Sequence, residues 1–363
     1  MSMTSLQTLE FSSTTIRPPN GDGLENLKLI YAFLLPPMML TLLVAILGNG
    51  TIVISAHKLM YPVSPYLKLC VSLAAADAWA ALLMITGLVV NSLMPVMLGV
   101  KKQTMCVDAV LEIFRMSGML TSDWHLFALA INQLIGTMWP LNYKMIISSR
   151  RLRLLVMLLW VIPLIFTGSW FFLTPGDGFR HPKCVFVFYN RFAPFRITIF
   201  TVFMLPLLAT LVIYTIILKH LVKAKERFDK SACVIGSIRS APRRNHVNSR
   251  LKLVWTTLLV VSTFTLSWGI CVVYFVLVCK QGCAFIYMRH VGLYSGIFFG
   301  STVNCLVILK LAVNPFIYTL RIPVIRRSVE AFLGKRLCRK VGGGGGAATG
   351  EQHSSTEHSP SNC

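Results

Sequence analysis

The sequence predicts an all-α membrane protein: a bundle of seven transmembrane helices, followed by a short amphipathic eighth helix on one membrane face. Three observations predict it. Hydrophobic residues are 55% of the 363 and charged residues 13%, well under the roughly 25% charged usual in soluble domains, and mean hydropathy is +0.67. A soluble chain this apolar would expose sticky surface everywhere, so lipid is the solvent for much of it. Seven apolar runs recur, each able to cross a hydrocarbon core about 30 Å thick, which takes about 20 helical residues. The basic residues, finally, crowd into alternate interruptions of those runs.

The runs cover residues 29–56, 66–95, 105–137, 152–174, 195–222, 251–279 and 291–320, a seven-helix domain over 29–320. The first is the cleanest. The third is the weakest by hydropathy, because Glu112, Arg115, Asp123 and His125 fall inside it. All are too long for barrel strands and lack their period-2 alternation. Residues 1–28 form a polar extracellular N-terminus without the basic start and short apolar core of a secretory signal, so the first span is expected to serve as an uncleaved signal. The sequon Asn49-Gly50-Thr51 lies inside that span, so no N-glycan is expected. Residues 223–250 read as a basic, polar loop containing Pro242. Over residues 321–341, Ile322, Ile325, Val329, Phe332 and Leu333 recur at helical spacing opposite Arg326, Arg327 and Lys335, the pattern of a helix lying on a membrane. Each basic residue there gains about 1 kcal/mol from anionic lipid. Residues 342–363 are a disordered cytoplasmic tail of five glycines followed by Thr349, Ser354, Ser355, Thr356, Ser359 and Ser361. Those hydroxyls have two readings, phosphorylation sites or simple solvation.

The net charge of +22 would by itself suggest a nucleic-acid partner, and its placement excludes that. The side formed by the first, third and fifth interruptions and the C-terminal segment, with the span ends that adjoin them, holds 23 Lys and Arg; the side of the N-terminus and the other interruptions holds ten. The N-terminus is therefore expected outside and the C-terminus inside. Cys106 and Cys184 then share the oxidising side, where a bridge between them would tie the loop after the fourth span over the bundle. Cys279 and Cys283, with three residues between them in an outer loop, are a second candidate pair. Cys70, Cys271 and Cys305 read as packing residues inside spans. Cys338, after the amphipathic stretch, is a candidate for palmitoylation. No zinc spacing, Ser-His-Asp set, P-loop or Rossmann pattern occurs, so no enzyme chemistry, cofactor or metal is expected. The absence of a duplicated half argues against a transporter.

One landmark per helix carries a resemblance. These are Gly48-Asn49, then Leu73-Ala74-Ala75-Ala76-Asp77, Trp160, Pro206 with Tyr214 eight residues on, Phe264 with Trp268, and Asn314-Pro315-Phe316-Ile317-Tyr318. In this order, with a cysteine at the third helix and another in the next outer loop, the chain resembles rhodopsin-like (class A) G-protein-coupled receptors over about residues 29–338. The resemblance implies a plasma-membrane receptor in which an extracellular ligand shifts a population between two helix packings. It implies a heterotrimeric G protein, and arrestin, as partners beside membrane lipid. Asn49, Asp77, Ser122, Lys310, Asn314, Pro315, Tyr318, Tyr214 and Pro206 would form the internal polar switch. Physics supports part of this without the family. Asp77 is costly in hydrocarbon and should face the bundle interior, while Pro206 and Pro315 leave places where a helix bends.

The chain also departs from the pattern. Where the family ends its third helix in Asp-Arg-Tyr, seven residues before a loop proline, counting back from Pro140 finds Asn132-Gln133-Leu134. Arg250 stands where many members carry an acid, so Gln133 and Arg250 form no ion pair and the G-protein-facing surface is altered. Four residues before Asn314 stands Lys310, whose ammonium has two readings. It substitutes for a sodium ion at Asp77, or it pairs with Asp123 or meets water in a cavity. The retinal-attachment position holds Ile308. The position of the amine-binding aspartate holds Arg115 when counted from Gln133, and Ile113 when counted from Cys106. A pocket-facing Arg115, with Trp268 as the other pocket residue, would suit an anionic ligand; alternatively it pairs with Glu112 or Asp108. Ser267-Trp268-Gly269-Ile270 lacks the family's proline, with Gly269 as a source of flexibility. His125 and Asp123 have two readings, a proton-sensitive pair or a satisfied structural bond. Rival functions are a receptor-shaped protein that does not activate G proteins (a decoy, partner subunit or arrestin-only receptor) and, further off, a channel or transporter.

Overall fold

The computed structural model describes residues 21–56, 63–100, 105–191, 193–234, 241–279, 285–286 and 293–342. Eight long helices account for most of them: α1 (Gly21–Ser55), α2 (Pro65–Leu88), α3 (Met105–Met138), α4 (Ser149–Leu173), α5 (Ala193–Val234), α6 (Ala241–Phe264), α7 (Leu293–Arg321) and α8 (Pro323–Gly342). α2 runs on through a π-helical stretch, Val89–Met97. α6 widens into a π-helical turn, Thr265–Gly269, before resuming as Ile270–Leu277. Two helix starts are written locally. Ser64 and Ser148 take extended backbone and their hydroxyls accept from Leu67 N and Arg151 N, satisfying donors that a helix start leaves open.

Six of the helical stretches are long and apolar enough to cross a membrane, and α3 is not among them. Its position explains its composition. Of its 34 residues 20 are buried, against six of the 25 in α4, so α3 threads the middle of the bundle where its polar groups meet protein rather than lipid. α4 instead shows lipid an almost continuous apolar surface, with Leu154, Met157, Val161 and Ile165 all exposed. The seven-helix bundle of a multi-pass membrane protein follows, with α3 as its axis.

One segment corrects the sequence reading. Most of the basic stretch 223–250 is helical, because α5 extends to Val234 and α6 begins at Ala241. Its lysines, arginines and glutamate are good helix formers, and Pro242 sits in the first turn of α6, where a missing N–H costs nothing. α8 places Ile325 and Phe332 in the interior beside Ile322, while Ser328 donates to the last-turn carbonyl of Ser55 at 2.6 Å, fixing it beneath α1. α1 and α7 meet closely at Gly48, where an added Cβ would lie 2.9 Å from the Pro315 ring. That crossing requires glycine.

Candidate functional site

Polar side chains gather in three tiers along the bundle axis. At one end a disulfide joins Cys106, in the first turn of α3, to Cys184 in the segment between α4 and α5. That segment is held by its own backbone as well. The Asp177 carboxylate accepts from Gly178 N at 3.1 Å, Val187 N at 2.8 Å and Phe188 N at 2.6 Å. Gly178 takes φ +59°, and a Cβ there would strike the Phe171 carbonyl at 2.3 Å, so the fold of the segment depends on glycine. The result presents Tyr189 to the bundle. Arg115 donates through Nε to Glu112 Oε2 at 3.0 Å and through Nη2 to both Glu112 Oε1 and, at 3.0 Å, the Tyr189 hydroxyl. Burial and the adjoining Glu112 carboxylate push the Tyr189 phenol well above its ordinary range, keeping it protonated. Of the partners open to Arg115, the fold selects Glu112, one turn back on α3. Trp268 is buried on the π-helical turn of α6, and Cys271, three residues on, is buried as well.

The middle tier centres on Asp77. Lys310 Nζ donates to its Oδ1 and Asn314 Nδ2 to its Oδ2, each at 2.6 Å, with all three side chains buried. The ammonium also lies 5.2 Å from the centre of the Phe264 ring, a cation–π distance. Asn49 Nδ2 bridges α1 to α7 by donating to the Leu311 carbonyl at 3.0 Å. Ser122 is buried on α3 but makes no hydrogen bond to this group among the described residues. Pro206, Tyr214 and Tyr318 sit in α5 and α7, both tyrosines buried. His125 takes the satisfied reading. Its Nδ1 faces the Thr121 carbonyl at 2.7 Å and must donate, so Nε2 accepts from Ser72 at 2.8 Å, and Ser72 in turn accepts from Trp160 Nε1 at 3.2 Å. Asp123 is fully buried, its oxygens without a hydrogen-bond partner among the described residues.

At the third tier a neutral amide, Gln133, stands where the sequence pattern leads one to look for charge. Gln133 Nε2 donates to Thr257 Oγ1 at 2.8 Å, and the Tyr66 hydroxyl shares the same oxygen at 3.0 Å, tying α3, α6 and α2. Asn132 accepts from Tyr143 at 3.0 Å, Leu134 packs against the core, and Arg250 donates to the Gly136 carbonyl at 2.7 Å. Gln133 and Arg250 thus each bind a different partner. Cys279 pairs through its backbone with Ile286 in a two-residue strand. The Cys279 side chain, Cys283 and the Cys338 side chain lie outside the described residues.

Sequence reasoning missed Asp177, Tyr189, Ser72, Tyr66 and Thr257. Asp177-Gly178 is a turn signal, and Thr257 is a hydroxyl in an apolar run. Nothing local marks Tyr189, whose partner is 74 residues away. Compared with known proteins, residues 48–318 match the family model described as 7 transmembrane receptor (rhodopsin family).

Proposed function

Because this chain belongs to the rhodopsin family of seven-transmembrane receptors, we propose that it is a plasma-membrane receptor converting the binding of an extracellular ligand into activation of a heterotrimeric G protein. The tier of Gln133 and Arg250 faces the cytoplasm in this reading, supported by the 23 to ten division of Lys and Arg, and the tier of the disulfide faces outward. Arginine is absent from position 133, so transduction runs through a weaker device, the Gln133–Thr257–Tyr66 latch; the family match over residues 48–318 is the observation that carries the reading. Neutral hydrogen bonds contribute about 1 kcal/mol each. A ligand with a modest preference for the opened packing therefore shifts the population between the two. The Asp77–Lys310–Asn314 group holds α2 to α7 throughout, its ammonium taking the place a sodium ion would have. At the outer tier Arg115 offers guanidinium donors to a ligand acceptor, while Glu112 already supplies an anion beside it. That arrangement favours an acceptor group over a full anionic charge.

The test is a G-protein dissociation assay on the parent and on Gln133→Arg. Basal or ligand-stimulated dissociation in the parent is the expected result. No dissociation across G-protein families in the parent, with dissociation restored in Gln133→Arg, supports instead the second reading, a partner subunit, decoy or arrestin-only receptor, which the glutamine itself favours.

A further inference from the structure

The outer tier holds more aromatic mass than a frame needs. Phe186, Phe188 and Tyr189 of the segment between α4 and α5 are all buried, at 7%, 4% and 3% exposure. Phe188 packs between helices, 5.1 Å from Phe171 of α4 and 4.9 Å from Phe195 of α5. Tyr189 lies 5.0 Å from Phe275, on the far side of the α6 turn, and its hydroxyl reaches the Arg115–Glu112 pair. A connecting segment normally runs over the surface with its side chains in solvent. This one turns inward and uses a disulfide, a three-pronged carboxylate and an obligatory glycine to stay there.

We propose that the four residues 186–189 are a resident occupant of the ligand pocket, and that the external ligand is an aromatic, phenol-bearing molecule that replaces them. The inference rests on the reading that the pocket lies at Arg115. It goes further by naming what fills the pocket now, and hence the chemistry that must fill it later. A newcomer has to restore what Tyr189 supplies: an acceptor for Arg115 Nη2, a ring against Phe275 and a second ring in the place of Phe188. Otherwise buried polar groups are left unpaired, at a cost that new packing does not offset. A bare carboxylate meets Glu112 at close range and supplies neither ring. An alkylamine would compete with Arg115 for Glu112.

The full-length receptor in cell membranes carries the test, and Cys271 is the reporter. The thiol is buried at 3% exposure, one helical turn from Phe275, the ring against which Tyr189 packs. Its modification by trimethylammonioethyl methanethiosulfonate is read as the part lost in Cys271→Ala. Asp177→Ala and Tyr189→Ala are expected to speed modification about tenfold by letting the segment lift, and Tyr189→Phe, which keeps the ring, by less. The acetylated and amidated tetrapeptide Phe-Val-Phe-Tyr is then expected to slow modification of Tyr189→Ala about threefold, with Phe-Val-Phe-Phe weaker. Equal rates in the parent and the alanine variants overturn the proposal, and so does a tetrapeptide that gives no protection. If Tyr189→Ala does not reach the surface, Asp177→Ala and Tyr189→Phe carry the same comparison. Modification needs no G protein. A receptor that shows this pattern without coupling therefore sinks the signalling reading and leaves the occupant in place.

Discussion

The two ends of this bundle are held by different physics. The end at Cys106 carries a covalent bond, a charged pair with a phenol on it, and aromatic rings packed at about 5–6 Å, all anchored by one inward-turned segment. The end at Gln133 has a glutamine amide, two hydroxyls and an arginine on a backbone carbonyl. Covalent bonds and buried ion pairs are stiff and costly to break, while the neutral Gln133–Thr257–Tyr66 bonds exchange for water with little net change. The stiff end suits selection of a ligand, and the soft end suits opening. Between them the Asp77–Lys310–Asn314 group is a fixed point against which both are judged.

The largest expected effect breaks that fixed point. Asp77→Ala leaves the Lys310 ammonium buried without a counter-charge and should lower stability by about 3–5 kcal/mol. Thermal unfolding of purified receptor in detergent measures it, and Lys310→Met alongside should recover most of the loss. Failure of the second change to rescue would mean that the ion pair is not what the middle depends on.

Next in size is the stiff end. Gly178→Val forces a branched side chain into positive φ and against the Phe171 carbonyl, and should cost about 1–3 kcal/mol. The loss should appear as a lower midpoint and faster proteolysis between residues 175 and 191. Unchanged proteolysis would show the segment to be looser than its hydrogen bonds imply.

A smaller change is expected at the soft end. Thr257→Val removes the shared oxygen of the latch, about 1 kcal/mol of closure, and should raise basal G-protein dissociation about fivefold with little change in unfolding midpoint. A drop in midpoint as large as that of Gly178→Val would erase the contrast between the ends. The smallest effect sharpens the middle. Replacing sodium by choline should shift the unfolding midpoint of the parent by less than about 1 °C, since Lys310 already occupies Asp77, whereas Lys310→Ala should become sodium-dependent. A sodium-dependent parent would count against a tethered cation.

How much of this is legible in the sequence follows from how far apart the partners lie. The amphipathic face of α8 depends on residues within a turn or two, and periodicity exposes such a pattern. The extension of α5 and α6 through the basic stretch escapes a reading by composition, because polar runs resemble loops. Lys, Arg and Glu are helix formers once two flanking helices propagate into them. His125 and Asp123, two residues apart, cannot be separated on paper, since a small rotation of α3 decides which neighbours each meets.

By itself, the chain determined that it is a membrane bundle, that its third span is the most polar, and where its basic charge collects, because hydropathy and helical period are properties of neighbouring residues. Tertiary structure alone decided the pairings: Arg115 with Glu112 and Tyr189, Lys310 with Asp77 rather than Asp123, and Gln133 with a hydroxyl of α6. The reason is geometric. A buried charge takes whichever partner the packing brings within about 3 Å, and that depends on the rotation and depth of helices far apart in sequence.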